Sequence, residues 1–157
     1  MFVKKLCVAA VLVAMAASAQ AGVAEKKATV KAVEKIEKAI EKTKAQCGNA
    51  HISYTVNWVN VLAFEDMEYA RKRLISAAGG NAASVFKQLA GICKKDADYK
   101  EEIAKLTTVN FTSQLKDNKA AHNSYSLKED GQVLDISLVA KYGYSGTKLK
   151  KALKNIW

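Results

Sequence analysis

The sequence has no proline, only two histidines and only three cysteines among its 157 residues. Three motifs are absent as well: the glycine-rich phosphate loop, the Gly-x-Ser-x-Gly nucleophile turn and the His-Glu-x-x-His metal site. The acidic clusters at 65–68 and 101–102 fall in the first turns of predicted helices, where the helix dipole favours negative charge. No catalytic motif remains, and we expect a non-enzymatic protein without a metal ion or cofactor.

Arginine is scarce too. Of the 25 basic residues only Arg71 and Arg73 are arginines, against 15 acidic residues and a formal net charge of +10. The planar guanidinium is the better group for reading phosphates and base edges, so this composition argues against nucleic acid as a partner. Positive charge of this size instead favours an acidic exported protein or an anionic component of the cell envelope.

Long apolar runs are confined to the start of the chain. Lys4 and Lys5 precede an apolar run over 6–17, and small residues follow up to Ala21. This pattern predicts a secretory signal peptide over 1–21, cleaved after Ala21. This run is well short of the roughly twenty apolar residues that a membrane-spanning helix needs, and no apolar run that follows it in the sequence is longer. We therefore expect a periplasmic or secreted protein with one mature domain, 22–157, whose 23 basic and 15 acidic residues give a net charge of +8.

Two cysteines remain after that cleavage, Cys47 and Cys93. An even number in an exported chain predicts one structural disulfide. A zinc site that adds His51 and His122 to the two cysteines is arithmetically possible, but the spacing has no zinc-finger character and export favours oxidation.

Apolar periodicity predicts alternating helices and strands. Helices are expected over 24–46, over 64–78 with an end at Gly79-Gly80, from Asn81 to Cys93, after Asp98, and over 147–157. Strands are expected over 51–59, 107–115, 122–128 and 132–141, with a type I′ turn at Asp130-Gly131. Because three strands cluster late in the chain with short turns between them, we expect an α+β domain. It would be an antiparallel sheet of about four strands with helices packed on one face, a long amphipathic N-terminal helix and a short C-terminal helix.

The candidate interface lies near the C-terminus, where aromatic residues in a glycine-bounded turn stand beside lysines. Its residues are Tyr142, Tyr144, Lys148, Lys150 and Lys151. On this basis we expect a small exported basic protein that binds a macromolecular partner, of the inhibitor or immunity type. One alternative is a periplasmic carrier of a small apolar or lipid ligand, with Tyr54, Trp58 and Phe111 lining the cavity. A cell-wall hydrolase is a further alternative, which rests on the compartment alone.

Overall fold

The computed structural model describes residues 22–62, 71–113, 123–138, 151–152 and 155–156. The predicted signal peptide lies outside these residues. Of the predicted C-terminal helix, only 151–152 and 155–156 are described, and both pairs are helical. The elements are α1 Val23–Cys47, β1 Ser53–Val56, α2 Trp58–Leu62, α3 Arg71–Lys95, α4 Ala97–Ala104, β2 Thr108–Ser113, β3 Ser124–Lys128 and β4 Val133–Leu138.

The four strands form one mixed sheet in the order β1-β2-β4-β3. Strand β2 pairs in parallel with both β1 and β4, and only β3 and β4 are antiparallel. The predicted α+β class is confirmed, but the prediction of a purely antiparallel sheet is wrong. Parallel pairing of β1 with β2 is possible because the chain between them passes through three helices, a crossover long enough to return to the same end of the sheet.

The β3–β4 hairpin is present, with its turn one residue earlier than predicted. Positive φ angles of 51° and 52° occur at Glu129 and Asp130, and the Gly131 N–H donates to the Lys128 carbonyl at 3.2 Å. Glu129 and Asp130 are thus the two central residues of the turn, and Gly131 follows them with a φ of 88°. Aspartate takes the left-handed conformation more readily than most residues, which favours Asp130 at one of the two central positions.

Helix α1 forms as the apolar spacing predicts. Its buried residues recur at three- and four-residue intervals along one side of the helix: Ala28, Ala32, Ile36, Ala39, Ile40, Thr43 and Cys47. Gly48 follows in the left-handed conformation, with a φ of 70°, and its N–H donates to the Lys44 carbonyl. This is the expected glycine end of the helix.

Helix α3 is continuous through Gly79-Gly80-Asn81, so the predicted helix end and new start at this point are wrong. Glycine in a helix interior costs about 1 kcal/mol relative to alanine. At Gly79 this cost is offset by close packing, because a Cβ built there would lie 2.8 Å from the Ala32 Cα. The two glycines predict a helix end only when the packing of α1 against α3 is left out of account.

Helices α1 and α3 run side by side in the same direction. Three contacts show the register: the Arg71 Nε lies 3.2 Å from the Glu25 Oε1, Ala32 meets Gly79, and Cys47 is bonded to Cys93. The predicted disulfide is therefore confirmed, and it joins the two helices near their C-terminal ends. Between these points the buried Thr43 hydroxyl donates to the Phe86 carbonyl at 2.7 Å.

The core lies between this helical layer and one face of the sheet. Phe86 of α3 contacts the rings of Tyr54 and Phe111 edge-on, with centroid distances of 6.1 and 5.9 Å. Alternate residues of the two central strands are buried in the same cluster: Val109, Phe111, Leu134, Ile136 and Leu138. Strand β1 is shorter than predicted, because Trp58 already begins α2.

Candidate functional site

All charged residues of α3 are basic. This helix contains six basic residues and no acidic one. Arg71 pairs with Glu25 at the contact with α1. Lys72, Lys87 and Lys94 are exposed, and their separations of 15 and 7 residues are close to whole numbers of 3.6-residue turns. These three lysines therefore share one side of α3.

Helix α1 alternates lysine and glutamate along the sequence, and three of its lysines fall on a flank that has no glutamate. Ala32 faces α3, and Glu37 lies on the flank toward the sheet, because its Oε1 accepts a hydrogen bond from the Tyr54 hydroxyl at 3.3 Å. At about 100° per residue, Lys31, Lys35 and Lys42 fall on the opposite flank, away from the sheet. All three are exposed.

The two sets of lysines form one surface, because each set lies on the side of its helix that faces away from the sheet. We call this surface the cationic face: Lys31, Lys35 and Lys42 of α1 with Lys72, Lys87 and Lys94 of α3. At 1.5 Å per residue, Lys72 and Lys94 are about 33 Å apart along the helix. The contacts that set the register place Lys31 and Lys35 beside 77–81 of α3. These two α1 lysines therefore lie between Lys72 and Lys87 along the direction of the two helices.

The cationic face contains neither carboxylates nor large apolar side chains of α1 or α3. At about 100° per residue, Glu34 and Glu41 lie on the outer side of α1, opposite Ala32 and α3, where Glu41 pairs with Lys44 at 2.8 Å. Val30, which is 57% exposed, lies on that outer side as well. Apart from Arg73, the exposed residues of α3 between Lys72 and Lys94 that are not lysines are small, such as Ser76 and Gly80. The six ammonium groups therefore dominate the charge of this surface.

A second polar surface covers the outer face of the sheet. The Thr55 hydroxyl donates to the Asn110 side-chain oxygen at 2.7 Å, and the Asn110 amide donates to Asp135 at 2.8 Å. Lys128 completes the row as the ion-pair partner of Asp135. The hydrogen bond from Lys128, and then that from Asn110, lower the pKa of the Asp135 carboxyl. Because its two charges are paired, this row links the four strands and has no net charge.

Sequence reasoning missed both surfaces. The lysines of α1 form part of a common face only once α3 is known to lie parallel to α1. The polar row exists only because β2 pairs with β4 rather than with β3. The sequence did contain one signal for these surfaces. The 3.6-residue repeat of a helix shows which lysines share its side, and the two-residue repeat of a strand shows which polar residues share its face.

Most of the predicted interface lies outside the described residues: Tyr142, Tyr144, Lys148 and Lys150. Lys151 is described, and it is exposed on a helical turn. Of the predicted cavity residues, Tyr54 and Phe111 meet at the ring of Phe86, and Trp58 is partly buried against the same core.

A cavity of about 20 Å³ lies between the helical layer and the ends of β2 and β4, and none of the three predicted cavity residues lines it. It has room for about one water molecule. The Ser113 hydroxyl at its wall is buried and has no hydrogen-bond partner among the described residues. The lipid-carrier hypothesis stays a prediction.

Within the described part of the chain, no three or more His, Cys, Asp or Glu side chains are grouped so that they could hold a metal ion. None of the helices in that part is both long and apolar enough to span a membrane. Comparison with protein-family models, with curated proteins and with solved structures found no match.

Proposed function

We propose that this is an exported, non-enzymatic binding protein whose cationic face holds an anionic component of the cell envelope. The observation that carries the proposal is the sorting of charge on the two long helices, which gathers six exposed lysines on one surface without an intervening carboxylate of either helix. Single exposed ion pairs contribute little, typically 0 to 1 kcal/mol. A row of like charges, however, produces a field that attracts anionic partners and depends strongly on salt.

Export is part of the proposal. It rests on the signal-peptide pattern over 1–21 and is supported by the Cys47–Cys93 disulfide, since such bonds persist in oxidising compartments. Cell fractionation tests it directly. Recovery of the unprocessed chain inside the cell, with both thiols free to react, would contradict it.

Binding can be tested by retention of envelope components on the immobilised mature, oxidised protein. We expect retention that falls as salt rises, because screening weakens the attraction between exposed charges. In the double variant Lys87→Glu/Lys94→Glu retention should be lost.

The matched control is Lys26→Glu/Lys100→Glu. It changes the net charge by the same amount at exposed lysines outside the cationic face, and it should retain close to what the unmodified protein retains. Equal loss in both variants would mean that only net charge matters and would refute an assignment to this face. Retention that does not respond to salt would refute the electrostatic basis.

A further inference from the structure

We infer that the anionic partner of the cationic face is the surface of a lipid bilayer with acidic headgroups. This inference rests on the proposed function and narrows it to one class of partner. It is carried by the chemistry, the shape and the surroundings of the six lysines.

The chemistry of the face suits diffuse rather than directional recognition. The lysine ammonium is a compact, strongly hydrated point charge on a flexible stem, without the fixed fork by which arginine grips a carboxylate. Arg73 is the one arginine near this face, and this residue already takes part in another interaction within the protein. Protein interfaces owe much of their affinity to buried Trp, Tyr and Arg side chains. Neither α1 nor α3 presents an aromatic residue here, since Phe86 is fully buried.

The shape of the cationic face allows its lysines to contact a flat surface at the same time. The two helices are parallel and closely packed, because Gly79 lets Ala32 approach. Small residues such as Ser76, Gly80 and Gly91 occupy the exposed side of α3 between the long lysine side chains. All six ammonium groups can therefore approach a flat anionic surface together.

Attachment to the bilayer would be peripheral. The large apolar side chains that are exposed among the described residues are Val23, Val30 and Val59. Val23 and Val30 lie on the outer side of α1 with Glu34 and Glu41, and Val59 belongs to α2. Because the described residues of the cationic face include no large exposed apolar side chain to insert, attachment through this face depends on charge, so it must be reversible and sensitive to salt. Each lysine close to an anionic leaflet strengthens binding roughly five-fold.

The test is co-sedimentation of the mature, oxidised protein with lipid vesicles. We expect binding to vesicles that contain phosphatidylglycerol and none to vesicles of phosphatidylcholine alone. Raising the salt from about 0.05 M to about 0.5 M should release the protein, as the screening length shrinks to a few ångströms. Lys87→Glu/Lys94→Glu should weaken partitioning at least about 25-fold. The Lys26→Glu/Lys100→Glu control should change it by only a few-fold.

Three results would overturn the inference. Absence of binding to phosphatidylglycerol vesicles at low salt, binding that is equal on both kinds of vesicle, or equal loss in the two variants would each do so. Far-ultraviolet circular dichroism confirms that the variants are folded. If vesicles are not bound but an acidic envelope protein is still retained through the cationic face, the inference fails and the proposed function survives. If neither is bound, both fail.

Discussion

Replacing Gly79 with alanine should destabilise the protein, although alanine is the better helix former. The added Cβ would lie 2.8 Å from the Ala32 Cα and closer still to the Ala32 Cβ. Carbon atoms pack comfortably at about 3.5 to 4.0 Å, so the two helices would have to separate by roughly 1 Å. Ala32 cannot relieve the overlap, because a methyl group and backbone have no rotamer to change. Overpacking of this kind costs about 1–3 kcal/mol, against a gain of about 1 kcal/mol in helix propensity, so we expect a net loss of up to about 2 kcal/mol.

Urea unfolding of the oxidised protein, followed by far-ultraviolet circular dichroism, measures this difference. The matched control is Gly80→Ala, one residue along the same helix, where a new Cβ would meet nothing within 4 Å. That variant should gain about 0.5–1 kcal/mol. Adding Ala32→Gly to Gly79→Ala should restore part of the lost stability, but only part, because the new methyl group would still overlap the backbone at position 32. If Gly79→Ala proves as stable as Gly80→Ala, the two helices do not approach as closely as described and the reasoning is wrong.

Three further predictions concern the disulfide, a buried amide and a half-buried phenol. Replacing both Cys47 and Cys93, which are 46 positions apart, with alanine should lower the free energy of unfolding by about 4 kcal/mol on the loop-entropy estimate; a loss below about 1 kcal/mol in urea unfolding would contradict it. The Asn49 side chain is 3% exposed and makes four hydrogen bonds to backbone groups. Asn49→Ala should therefore cost about 3 kcal/mol or more in the same assay, whereas a neutral effect would show that water replaces these bonds. Burial, and then Glu37, raise the pKa of Tyr54 above its ordinary value of 10.0. The folded protein thus favours the neutral phenol, so this contribution to stability is complete below pH 10 and declines as the pH rises further. Tyr54→Phe should flatten that decline, and a Tyr54 phenolate absorbance that appears at the ordinary pH would rule the shift out.

Local patterns were sufficient for much of the secondary structure. The period of buried residues and Gly48 identify α1, because both depend only on residues within the helix and its last turn. The hairpin of β3 and β4 is local as well, and it was predicted to within one residue. Trp58 shows the limit of this approach: it continues the alternation of β1 but begins α2. Pairing the two cysteines needed no geometry, since they are the only ones expected in the exported chain.

Long-range pairing lay beyond these patterns. Nothing in β2 or β4 indicates that they are neighbours and parallel, because a strand's alternation shows which side is buried and not which strand lies next to it. Gly79 is a second example: by itself it predicts a helix end, and only its close contact with Ala32 explains why the helix continues.

The amount and sign of the charge, the long amphipathic segment near the N-terminus and the single disulfide are properties of the sequence, because composition and a 3.6-residue period are sufficient to specify them. Whether the positive charges form one surface was decided by the tertiary structure. Lys35 and Lys87 are 52 positions apart in the chain, and they share a face only because α1 and α3 pack in parallel. Helical periodicity places a residue on a side of its own helix, and only packing determines what that side is next to.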